Sequence, residues 1–72
     1  MVVRINNKSY SMGRTQVKGV LQIASENVKL GIYAVERKNQ VELLNIPCKS
    51  RTELKRLKDT YKKHGFKVYA NG

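Results

Sequence analysis

One cysteine, Cys48, and one histidine, His64, in a chain of 72 residues leave this fold only its own packing to rest on. A lone thiol excludes an internal disulfide. One Cys and one His are too few for a structural zinc site. A domain this small buries only about 60% of the surface its unfolded chain exposes. Such a core supplies only ~3–5 kcal/mol of net stability. Self-association is therefore left open. The unpaired thiol points to a reducing compartment, with the cytoplasm as the default. The start, Met1 to Asn7, has no long apolar run and does not read as a secretory signal. No stretch approaches 18 apolar residues, so no membrane span is expected.

Turn signals divide the chain into a single domain, 1–72. Residues 2–12 read as a strand pair or one long bent strand, with Asn6-Asn7 suited to the left-handed backbone of a tight turn. Residues 15–28 read as a helix. Val17, Val20, Leu21, Ala24 and Val28 share one face at about 100° per residue. Thr15 is the expected N-cap, and Gly19 costs ~1 kcal/mol relative to Ala. A strand around Val20–Ile23 is the alternative. Ile32-Tyr33-Ala34-Val35 and Val41–Ile46 read as a hairpin around a four- or five-residue loop, and Pro47 ends the second strand or lies on an edge.

The second helix is the clearest element. Ser50-Arg51-Thr52-Glu53 fits a capping box. Leu54, Leu57 and Tyr61 make its buried stripe. Gly65 stops the helix, and Phe66 can fold back on Tyr61. Phe66, Val68 and Ala70 then alternate with Lys67 and Tyr69 as a last strand with one buried face. The order β(β)αββαβ predicts an α+β fold: a small antiparallel sheet with two helices packed on one face, ferredoxin-like split βαβ as the first choice. The other sheet face is expected to be open.

The titratable residues nominate no active site. Nucleophilic catalysis needs a nucleophile, a base and an orienting group within mutual reach. Cys48 precedes the second helix and His64 ends it, so ~1.5 Å per residue separates them by roughly 20 Å. His64 reads as a residue favoured by the helix dipole, and Cys48 as a small half-buried hydrophobe. Glu53 serves the cap, and Asp59 can pair with Lys55 and Lys63 at four-residue spacing. Glu26, Glu36 and Glu42 are scattered. There is no phosphate loop, metal-ligand cluster or dinucleotide fingerprint. No catalytic residue, metal ligand, cofactor or small-molecule substrate is expected.

Charge is the stronger signal. Fifteen Lys and Arg face five Asp and Glu, for a net charge of +10. A solubilising surface accounts for such a charge, and so does an anionic partner, since a domain with pI above ~9 is the usual footprint of a nucleic-acid binder. Arg51, Lys55, Lys58 and Lys62 fall within about 60° of one helical edge. Arg56 and Lys63 form a smaller group on the far flank. Like charges at this spacing each cost a few tenths of a kcal/mol, which an anion alongside would relieve. Lys49 and Lys67 extend the segment at either end. Tyr10, Tyr33 and Tyr69, interleaved with Lys8 and Lys67, are candidates for base stacking on an open sheet face.

The element order resembles the RNA-recognition-motif fold and the SPOR peptidoglycan-binding fold. The former implies a Gly and aromatics on the third strand. Val41-Glu42-Leu43-Leu44-Asn45-Ile46 has neither, which speaks against a standard RNA-recognition motif. The stretch Val41–Tyr69, with Ser50, Glu53, Leu54, Leu57, Gly65 and Phe66, resembles the second half of a SPOR repeat. That likeness is generic strand–cap–helix–Gly–strand grammar, and the first half lacks a matching pattern. Neither likeness assigns a family. A short chain rich in Lys and Asn also resembles small bacteriophage proteins in composition.

The expectation is a non-enzymatic nucleic-acid-binding module of weak sequence preference, with Lys49, Arg51, Lys55, Lys58, Lys62 and Lys67 on phosphates. The alternative is a small interaction or inhibitor module, phage-derived or homodimeric, acting on an acidic protein. Adhesion to anionic glycan or lipid headgroups ranks third, because Leu54, Leu57 and Tyr61 are too few to serve both core and membrane.

Overall fold

The computed structural model describes all 72 residues, and local causes account for each element. Strands β1 (Val2–Ile5) and β2 (Lys8–Ser11) form an antiparallel hairpin. Its two turn residues, Asn6 and Asn7, have φ of +50° and +67°, the paired left-handed backbone that matches strand twist. Helix α1 spans Arg14–Glu26. Its N-cap is Gly13 rather than Thr15, because the Gln16 carboxamide oxygen accepts from the Gly13 amide at 3.1 Å. The helix ends before Val28, which is buried beyond its terminus.

Strands β3 (Gly31–Arg37) and β4 (Gln40–Pro47) make the central hairpin. The loop is tighter than the sequence suggests. Lys38 and Asn39, at φ of +52° and +61°, form a two-residue turn, so pairing runs out to Arg37 and Gln40. Pro47 closes β4 opposite Gly31. Helix α2 (Arg51–Lys63) starts at Ser50, whose hydroxyl oxygen accepts from the Glu53 amide at 3.2 Å. The Glu53 carboxylate accepts from the Lys49 amide, one residue earlier than a standard capping box. At the other end Gly65 has φ of +84°, and the amides of Gly65 and Phe66 donate to the carbonyls of Lys62 and Tyr61. That is a Schellman stop. Phe66 packs edge-on against Tyr61, with ring centroids 5.8 Å apart. Strand β5 (Lys67–Asn71) follows.

The fold is α+β, with two helices and one five-stranded sheet in the order β2-β1-β4-β3-β5. Three expectations need correcting. The sheet is mixed, since β1 runs parallel to β4. The strand order is not that of a ferredoxin-like fold, in which the last strand lies beside the first. Here β5 pairs with β3 at the far edge. Only the second half, β4-α2-β5 with β3 between its strands, has the split βαβ form.

The third correction concerns the helices, which lie on opposite faces of the sheet. On β5, Val68 and Ala70 pack against the cluster that holds Leu54 of α2, while Tyr69 packs against the cluster that holds Val17 of α1. On β4, Val41 and Leu43 join the α1 cluster, while Leu44 and Ile46 join the α2 cluster. The cause lies in β3. Ile32, Ala34 and Val35 are all buried, and a register shift at Tyr33 sends Tyr33 and Ala34 to the same side. A strand apolar on both faces needs cover on both. The result is two small cores: Val3, Val17, Ala34 and Val41 under α1, and Ile32, Val35 and Leu54 under α2.

Candidate nucleic-acid interface

Helix α2 is oriented by its buried stripe. Leu54 is 4% exposed, and Leu57 and Tyr61 are half-buried beside it. Sinking Leu54 contributes roughly 1.5–3 kcal/mol and fixes the helix's rotation on the sheet. That rotation places the predicted cations on one flank. Arg51, Lys55 and Lys62 are exposed and Lys58 is half-buried. All four line a single shallow depression of about 330 Å³, together with Leu54, Asp59 and Gly72. Asp59 is the only acidic side chain there, and Gly72 brings the chain's terminal carboxylate to the same depression. Glu53 is turned to the cap, 3.2 Å from the Lys49 amide. From Arg51 to Lys62 the row is roughly 16 Å long at 1.5 Å per residue.

The two flanking lysines part company. Lys49 is exposed just ahead of the α2 N-cap. Lys67 does not extend the α2 row. It lies opposite Glu36 in the β3–β5 ladder, on the α1 face, with its ammonium 5.3 Å from the centre of the Tyr69 ring. There it joins Arg14 and Lys18 of α1 around a depression of about 620 Å³ that also holds Glu36 and Tyr69.

The tyrosine set is not on an open face. Tyr33 and Tyr69 pack against the core under α1, 6.3 Å apart between ring centroids. The Tyr69 hydroxyl donates to Glu36 at 2.8 Å. Burial, then the hydrogen bond and charge of Glu36, push the Tyr69 phenol up to about 12. Tyr10 is exposed on edge strand β2, with β1 and β4 between it and β3. At about 4.8 Å per strand, three steps put it far beyond a shared stack.

Arg14 and Lys18 were not singled out by the sequence reading. The available signal was their four-residue spacing at the start of α1, which places them on one helical edge. Arg37 is a second omission. Its guanidinium lies 4.6 Å from the centre of the Phe66 ring and donates to the His64 carbonyl at 3.2 Å, closing the C-terminal end of α2. Cys48 is half-buried ahead of α2 and His64 is exposed at its far end. A groove of about 420 Å³ beside Val20, Ile23 and Leu43 carries asparagines but no titratable side chain. No helix is long and apolar enough to cross a membrane. Comparison with known proteins finds no matching family model, curated protein or solved structure.

Proposed function

We propose that this domain binds the phosphate backbone of nucleic acid through the basic flank of α2, without catalysis and with weak sequence preference. The observation that carries this reading is the gathering of Arg51, Lys55, Lys58 and Lys62 around one depression with a single acidic side chain, Asp59, and the terminal carboxylate of Gly72, which leaves the cations in excess. Four cations so placed repel one another, and a polyanion alongside converts that cost into attraction. Each phosphate neutralised releases condensed counterions, so affinity falls as salt rises. Lys49 stands at the N-terminal end of the same helix and extends its reach. Phosphate contacts position a protein without reading bases, which is why little sequence preference is expected. A reducing, cytoplasmic setting suits the unpaired thiol of Cys48.

The test is a salt titration of binding to labelled duplex and single-stranded oligonucleotides. Four phosphate contacts predict a log–log slope of about −3.6 on duplex DNA. K55E/K58E/K62E abolishes binding if the reading holds. Affinity that ignores salt, or survives that triple change, refutes it.

A further inference from the structure

The α1 face carries a second group of cations. Arg14 and Lys18, from the first turns of α1, meet Lys67, from the first position of β5. The three line one depression with Glu36, whose carboxylate accepts a hydrogen bond from Tyr69. The Tyr69 ring, held by that bond, lies 5.3 Å beneath the Lys67 ammonium. Attraction of an ammonium to an aromatic face helps hold it in place.

This group and the α2 row sit on opposite faces of the sheet, and both border edge strand β5: Gly72, just past its end, lines the α2 depression, while Lys67 and Tyr69 line the other. No strand lies beyond β5. Lys62 is in the last turn of α2, the helix that covers β5, and Lys67 opens β5 five residues later. One cation group thus flanks β5 on the α2 side and the other on the α1 side, with only the open sheet edge between them.

From this we infer that the ligand is a single strand of nucleic acid, which follows the α2 row and bends around the β5 edge onto Lys67, Arg14 and Lys18. The inference rests on the α2 reading and names its substrate class. A duplex is stiff: bending one by 40–90° over 20–30 base pairs costs about 1–6 kcal/mol. The domain measures 34 × 25 × 20 Å, far shorter than such a segment. A duplex seated on one face leaves the other untouched. A single strand turns at each nucleotide and can engage both, as basic grooves that track a backbone do.

The test uses fluorescent deoxythymidine and uridine oligomers of about 20 nucleotides and a duplex of about 20 base pairs, long enough to span either face. Salt slopes are measured for the wild type, R14Q/K18Q/K67Q and K55Q/K58Q/K62Q. The α1-face variant should flatten the single-strand slope by about 2, at ~0.7 per lost contact, and leave the duplex slope unchanged. The α2 variant should flatten both. The two oligomers share the phosphodiester, and the tighter binder identifies the sugar. If R14Q/K18Q/K67Q leaves the single-strand slopes intact while K55Q/K58Q/K62Q flattens them, the wrapped path is wrong and the α2 reading stands. If the α1-face variant flattens single-strand and duplex slopes alike, that face binds duplex independently and the path is again wrong. If the α2 variant changes nothing, both readings fall.

Discussion

The Tyr69 hydroxyl donates to a carboxylate oxygen of Glu36 at 2.8 Å, diagonally across the ladder that joins β5 to β3. The bond ties the middle of edge strand β5 to its neighbour β3 and leaves the phenol reluctant to ionise. Its pKa rises from the ordinary 10 to about 12, chiefly through burial and then through Glu36. The folded protein therefore keeps a proton that the unfolded chain has already released. This contribution to stability is intact below pH 10 and is lost as pH climbs from 10 through 12. Tyr69→Phe should remove the latest tyrosinate step from an alkaline absorbance titration. It should also make chemical-denaturation stability fall less steeply over that window than in the wild type. An unchanged titration curve refutes the assignment.

Gly31 and Gly19 should respond to alanine with opposite signs. At Gly31, φ is +152°, and an added Cβ would run into the Ile46 carbonyl oxygen and approach the Val28 side chain at 2.9 Å. Both neighbours are held, one by the sheet backbone and the other by burial. Gly31→Ala should cost at least about 1–3 kcal/mol from backbone strain alone. Gly19 lies inside α1 with open space around it, so Gly19→Ala should add about 1 kcal/mol. Urea melts of the two variants check both signs.

Much of this architecture was legible because its signals are local. Ser50, Gly65 and Asn6-Asn7 mark their cap, stop and turn through backbone chemistry that needs no distant partner. What was missed is non-local. Strand β5 alternates Val68 and Ala70 with Lys67 and Tyr69, which reads as one buried and one solvated face. Tyr69 is amphipathic, however, and packs with the α1 core while its hydroxyl finds Glu36. The corrective signal was the unbroken run Ile32-Tyr33-Ala34-Val35, which marks a strand covered on both sides. The α2 row was legible because helical spacing alone groups it. The grouping of Lys67 with Arg14 and Lys18 was not, because it depends on which face α1 covers.

Asn71 fastens the far end of β5 to the far end of α1. Its side-chain amide donates to the carbonyls of Ser25 at 2.8 Å and Val28 at 2.9 Å. Both acceptors lie at or just past the last turn of α1; the Ser25 carbonyl also accepts from the Val28 amide at 3.3 Å, so Asn71 adds a second donor to it. Asn71→Ala removes both bonds and should cost about 1–2 kcal/mol. Hydrogen exchange should show faster opening at the C-terminal turn of α1, with α2 unaffected. Equal acceleration in both helices would contradict this assignment.

Lys58 should uncouple stability from binding. It lies four residues before Lys62 and three after Lys55, so its charge opposes both neighbours along the α2 flank. Replacing it with an acid turns two repulsions into attractions, each about 0.2–0.5 kcal/mol, with the acid N-terminal to Lys62 in the favourable order. Lys58→Glu should therefore raise the melting temperature of the free protein at low salt, and the gain should shrink as salt screens it. The same change should weaken oligonucleotide binding, because a carboxylate now faces the phosphates. A residue retained at a cost to stability and needed for binding is the trade expected of a functional site. If Lys58→Glu lowers the melting temperature and leaves binding intact, the lysine serves the fold, and the polyanion account of this helix fails.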